Sequence, residues 1–138
     1  MSEQTILTWK NDMVFSAHQD GHEFLLDAAP AVGGQDRGPR PKTLMLTALA
    51  GCTGMDVISI LRKMRIQPEG FELRVAAELT EEHPKVFKSI QLIYTFKGKD
   101  LPLDKLQKAV NLSQDKYCGV TAMLAKICPL EIEIVRED

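Results

Sequence analysis

The chain has 138 residues, with 17 Lys and Arg against 19 Asp and Glu for a net charge of −2, and only three cysteines. That length suits one domain, residues 1–138, which can bury about 68 to 70% of its unfolded surface without disulfides or metals. With no basic block or arginine-rich helix, the composition argues against a nucleic-acid partner, and three cysteines fit free or catalytic thiols in a reducing compartment better than structural bridges.

The N-terminal MSEQTILTWKND carries Glu3, Lys10 and Asp12 and lacks the apolar stretch of a signal peptide, so a cytoplasmic protein is expected. The β-favouring runs TILTW, MVFSA and EFLLDA are separated by the turn formers Asn11, Asp12, Asp20 and Gly21, and they predict a three-stranded antiparallel meander. PAVGGQDRGPRP, residues 30 to 41, has no periodicity and predicts a surface loop carrying Arg37 and Arg40.

Pro41 suits the first turn of a helix, and the pattern from Lys42 to about Arg65 is helical and apolar on nearly every side over its first half. Its uncharged run is shorter than the roughly 20 residues of a bilayer span, which predicts a core helix and no membrane anchor. A helix apolar all round must be covered all round, and one small domain can hardly do so alone, so a second copy is expected.

Beyond Pro68 and Gly70 the period becomes two. Phe71, Leu73, Val75, Ala77 and Leu79, then Ile90, Leu92, Tyr94 and Phe96, predict two long strands with one wet face each. Leu103, Leu106 and Val110 return to helical spacing, Ser113 reads as the N-cap of a further helical piece from Gln114 to about Ile127, and Leu130, Ile132 and Ile134 close the chain as a strand. The order is that of an α+β fold.

Cys118, about five residues past the expected cap, would sit near the positive end of a helix dipole and beside Lys116, which would favour its thiolate; the competing reading is a packed small residue. Cys52 lies deeper in the long helix, with Asp56 one turn on. A carboxylate facing the sulfur opposes ionisation, so activation needs a cation from elsewhere, and Arg37 and Arg40 are the nearest candidates. Gly51, Gly54 and Gly119 flank the two cysteines and predict a close approach of the two backbones. Cys128, ten residues beyond Cys118, would be about 15 Å away on one continuous helix, too far for a disulfide. His18, His22 and His83 show no metal-ligand spacing to the cysteines, so neither a metal nor a cofactor is expected.

The segments PKTLMLTALAGCTGMDV and LSQDKYCGVTAML, with cysteines 118 − 52 = 66 positions apart, resemble the OsmC/Ohr family of small thiol-dependent antioxidant peroxidases. The resemblance covers essentially the whole chain. It implies an intertwined homodimer with the long apolar helices at its centre. It also implies that Cys52 attacks an organic hydroperoxide, that Cys118 resolves the sulfenic acid as a Cys52–Cys118 disulfide, and that an external dithiol reduces the bridge. Two features depart from the hydroperoxide-reducing branch. Its glutamate after proline, ten residues before the first cysteine, is here Lys42, and its arginine in a turn between the first strands has no counterpart in NDMVFSAHQDGHEF. The alternative function is therefore a non-catalytic module that binds a small hydrophobic ligand or senses redox state at the dimer cleft.

Overall fold

A computed structural model describes residues 2–138. The chain divides into two compact units, one ending at Met45 and one running from Leu46 to Asp138.

The N-terminal unit is the expected meander: β1 (Ile6–Asn11), β2 (Val14–Gln19) and β3 (His22–Leu26) pair antiparallel in that order. The β2–β3 turn is Asp20–Gly21, with φ of 51° and 80°; both residues are left-handed, as a tight hairpin turn matching strand twist requires. The loop that follows contains one 3-10 turn, Pro30–Val32. Asp27 organises it: its buried carboxylate accepts the backbone N–H groups of Ala28 (2.7 Å), Gln35 (3.0 Å) and Arg37 (3.1 Å). Burial pulls the Asp27 carboxyl up, but these three donors outweigh it and hold it below the ordinary range.

The long helix α1 spans Pro41–Lys63, within two residues of its expected bounds. It stops in a Schellman turn: the Ile66 N–H bonds to the Leu61 carbonyl and the Arg65 N–H to that of Arg62, with Arg65 left-handed at φ 62°. Within the second unit, β4 (Gly70–Leu79) and β5 (Phe87–Lys97) form the expected antiparallel hairpin, and β6 (Leu130–Glu137) joins the far side of β5 in parallel. A parallel neighbour needs a crossover, and α2 (Leu103–Leu112) and α3 (Gly119–Leu124) supply it. The apolar face of β5, formed by Phe87, Ile90, Leu92, Tyr94 and Phe96, packs in one core with Leu49, Val57 and Leu61 of α1 and Leu106, Ala109 and Val110 of α2. Each such large apolar side chain contributes about 1.5 to 3 kcal/mol on burial.

One local expectation is corrected. Ser113 is not an N-cap. Its φ of −62° and ψ of −50° are helical, and the chain continues from α2 into a π turn, Ser113–Tyr117, closed by Cys118 N–H to Ser113 C=O at 2.8 Å. Cys118 then turns extended, at φ −78° and ψ 103°, and itself caps α3. The expected helix from Gln114 to Ile127 is thus a π turn, a break and a six-residue helix. Cys118 and Cys128 do not share a continuous helix, because α3 ends at Leu124.

Candidate functional site

The site lies wholly in the second unit, where α1, β5 and the π turn meet. Cys52 and Asp56 are one helical turn apart on α1, and the break at Cys118 faces them. The two sulfurs and a carboxylate oxygen of Asp56 all lie within 4.8 Å of one another. Cys118 is buried and Cys52 half-buried.

The expected role of the glycines is corrected here. A Cβ on Gly51 or Gly119 would meet nothing within 4 Å, and one on Gly54 would meet only the side chains of Phe71 and Leu73. It is the extended break at Cys118 that turns its sulfur toward Cys52.

Behind the sulfurs runs a buried polar chain that sequence reasoning missed. Thr53 Oγ1 lies 2.7 Å from both the Tyr94 hydroxyl and Ser113 Oγ. Gln114 Nε2 reaches the Tyr94 hydroxyl at 2.6 Å and Thr53 Oγ1 at 3.3 Å, and Ser113 Oγ lies 3.0 Å from Asp56 Oδ2. Donor counting fixes the direction of every bond. The Asp56 carboxylate only accepts, so Ser113 donates to it, and Ser113 must then accept from Thr53. Thr53 in turn accepts from Tyr94, which accepts from the Gln114 amide. All three hydroxyl protons point toward Asp56, and such aligned bonds polarise one another. Tyr94 was the available signal, because a phenol alternating with Ile90, Leu92 and Phe96 on a buried face needs a partner for its hydroxyl.

The expected favouring of the Cys118 thiolate is also corrected. Burial pushes this thiol up, and a hydrogen bond with Cys52 adds to the effect; the Thr121 contacts, including its N–H donating to the sulfur at 3.3 Å, pull the other way without cancelling it. Lys116 gives no help: its ammonium sits over the Tyr117 ring, 5.3 Å from the centroid. Burial likewise pushes the Tyr94 phenol and the Cys128 thiol up. Among the described residues, Thr121 Oγ1 is the one buried side-chain oxygen or nitrogen without a hydrogen-bond partner.

Arg37 and Arg40 lie in the N-terminal unit, where their head groups are occupied. Arg37 donates to Asn11 Oδ1 at 3.2 Å and to Gln35, and Arg40 donates to Asp36 Oδ1 at 2.5 Å and to the Gly38 carbonyl at 3.0 Å.

The sequence model of the family described as OsmC-like protein matches residues 33–133 of this chain. The chain belongs to the OsmC-like family. Protein YhfA of Escherichia coli K12 is 35% identical to this family member over 124 residues, covering 89% of this chain and 90% of YhfA. Among solved structures, a hypothetical protein from Aquifex aeolicus superposes with a TM-score of 0.88 at 27% identity, covering 100% of this chain and 98% of that one. The organic hydroperoxide resistance protein OhrB of Bacillus subtilis superposes at 0.66 with 18% identity, covering 95% and 97%, a likeness of fold alone. Cys52 and Cys118 of this OsmC-like chain, and the elements that carry them, fall inside the matched segment.

Proposed function

We propose that the protein is a thiol-dependent peroxidase that reduces organic hydroperoxides. The observation that carries this reading is the approach of the two thiols, one half-buried and one buried, to within 4.8 Å. A disulfide needs a sulfur separation of about 2.05 Å, so the sulfurs have at most 4.8 − 2.05 Å, about 2.7 Å, left to close. Cys52, the more accessible, attacks as the thiolate: Cys52–S⁻ + ROOH + H⁺ gives Cys52–SOH + ROH. The Cys118 thiol condenses with the sulfenic acid, releasing water and forming the bridge. An external dithiol returns both sulfurs to the reduced state, and no bound cofactor takes part. The resemblance of the two cysteine segments to the OsmC/Ohr peroxidases supports the same chemistry here.

A cytoplasmic homodimer accompanies this reading. α1 meets a length-and-composition test for crossing a membrane, with a mean hydropathy of 1.8. It is read as a core helix because Leu49, Thr53, Val57 and Leu61 are buried in the second unit and mid-helix Asp56 is hydrogen-bonded there. Its opposite side leaves Met45 and Met55 44% and 77% exposed, and a second copy would cover it.

The alternative is a binding module. It rests on Lys42 at the activating glutamate's position and on an open groove of about 580 Å³ lined mainly by apolar residues such as Met55, Ile58, Phe71 and Leu73, with Ser59 and Arg62 also in the lining, which suits a small, largely apolar ligand. Turnover of cumene hydroperoxide and hydrogen peroxide with dithiothreitol, on the wild type and on Cys52→Ser, separates the two. The peroxidase reading requires catalytic consumption of the organic peroxide that Cys52→Ser abolishes. Stoichiometric or no consumption favours the binding module.

A further inference from the structure

We propose that reduced Cys52, Cys118 and Asp56 form a binding site for a zinc-class divalent cation, which is released when the two thiols are oxidised. The three donor atoms lie within 4.8 Å of one another. Around one Zn²⁺, with bonds of about 2.3 Å to sulfur and 2.0 to 2.2 Å to oxygen, neighbouring donors sit about 3.5 to 4 Å apart. A contraction of about an ångström therefore brings all three into one coordination shell. Two thiolates and one carboxylate select a borderline-soft ion. They do not suit Mg²⁺ or Ca²⁺, which require shells of oxygen.

The surroundings are those of a supported ligand set. Ser113 holds Asp56 Oδ2 at 3.0 Å, which leaves the carboxylate lone pairs to turn toward the sulfurs, and Ser113 is itself fixed by the chain through Thr53, Tyr94 and Gln114. The Thr121 N–H bonds to the Cys118 sulfur at 3.3 Å. Outer-shell donors of this kind orient ligands and raise metal affinity. The half-exposure of Cys52 leaves a fourth position open to water. A divalent ion also accounts for Asp56 beside two thiols. Binding displaces the thiol protons, and the two thiolates and the carboxylate then carry −3 against the +2 of Zn²⁺, a net local charge of −3 + 2 = −1.

Metal and disulfide exclude each other, since both use the same sulfurs. Two metal-bound thiolates and an organic hydroperoxide react as 2 RS⁻ + R′OOH + 2 H⁺ to RS–SR + R′OH + H₂O. Two electrons pass from the sulfurs to the O–O bond, and Zn²⁺ leaves because only Asp56 remains to hold it.

The test is a titration of reduced, metal-stripped protein with Zn²⁺ against a chromophoric chelator, with Cd²⁺ as a second probe for its ultraviolet thiolate-to-metal band. Expected are one Zn²⁺ per chain, weaker binding by about 10- to 100-fold in Ser113→Ala, and a larger loss in Cys52→Ser, Cys118→Ser and Asp56→Asn. Cys128→Ala should bind as the wild type does. The Cd²⁺ band should be absent from a Cys52→Ser/Cys118→Ser double variant whose circular dichroism is native, and one equivalent of organic hydroperoxide should release the bound Zn²⁺. No Zn²⁺ retained by native-like reduced protein, full retention by the double variant, or binding that depends on Cys128 would overturn the proposal. Metal binding is measured without turnover, so it can fail while the peroxidase reading holds, and the reverse is equally possible.

Discussion

Ser113 Oγ donates to Asp56 Oδ2 at 3.0 Å across 57 residues of sequence, and at the same time lies 2.7 Å from Thr53 Oγ1. One hydroxyl thus ties the π turn to two positions one turn apart on the same face of α1. Ser113→Ala deletes the acceptor of the buried Thr53 hydroxyl and one donor to Asp56. A loss of about 1 to 3 kcal/mol is expected. Urea unfolding of the variant checks it. Tyr94→Phe acts on the same chain through Thr53, so the double variant should lose less than the sum of the singles. Strict additivity would mean the bonds are energetically independent.

The proximity of Cys52 and Cys118 makes a specific mapping prediction. About one equivalent of organic hydroperoxide should give a single intramolecular disulfide joining the peptides that hold these two residues. Cys118→Ser should leave a sulfenic acid on Cys52 that a dimedone-type reagent captures. Cys128→Ala should leave the map unchanged, because Cys128 is buried in the core and lies outside the sulfur–carboxylate cluster. A bridge to Cys128 would refute the mechanism.

Much of this arrangement was legible in the sequence, and the rest has physical reasons for being hidden. A long apolar run opened by Pro41 located α1, and alternation located β4, β5 and β6, because burial on one face of a strand leaves a period of two. Alternation carries no strand direction, so the parallel pairing of β6 with β5 was not readable. The π turn was invisible because it inserts one residue without changing composition, and a serine entering it looks like a cap. That misreading placed Cys118 inside a helix and gave its thiol the wrong direction of shift. Helical spacing alone puts Asp56 on the face of α1 that carries Cys52. Its contact with Ser113 depends on tertiary structure, and so does the chain through Tyr94.

The raised thiols give stability a definite pH dependence. Burial makes Cys118 and Cys128 keep their protons in the folded state to a pH at which the unfolded chain has already lost them. Above the ordinary thiol range the folded state therefore binds more protons than the unfolded one, and stability falls as pH rises. Their contribution is fully present at neutral pH and disappears through the alkaline range. Reduced protein should show a lower urea midpoint at about pH 10 than at neutrality. The slope should be shallower in Cys118→Ser and Cys128→Ala, and in disulfide-bonded protein, where Cys118 no longer titrates. An alkaline decline of equal slope in all of these would assign the effect to other groups.

The end of α1 offers a stabilising change. Arg65 occupies the left-handed position of the Schellman turn at φ 62°, where any residue with a Cβ is strained and glycine is not. Arg65→Gly should gain about 0.5 to 1 kcal/mol after allowance for the greater chain entropy of glycine. Thermal unfolding should shift upward by a few degrees, about 2 to 4 °C. An unchanged or lower midpoint would mean that the Arg65 side chain makes compensating contacts near the helix C-terminus.

The face of α1 opposite its buried stripe bears on assembly. Met45 is 44% and Met55 77% exposed, and the groove beside Met55 is lined by Ile58, Phe71 and Leu73. Leaving apolar surface of this kind in water is unfavourable at roughly 25 cal/mol per Å², whereas pairing the same face on two copies removes it from water on both. A charge placed there should therefore act on association more than on the fold, because Met55 points away from the stripe of Leu49, Thr53, Val57 and Leu61 that holds α1 in the core. Wild-type protein at micromolar concentration should sediment at about twice the chain mass, and Met55→Glu should shift it toward the monomer while keeping native circular dichroism. A wild-type monomer, or a Met55→Glu variant that stays fully dimeric, would show that this face is not where two copies meet.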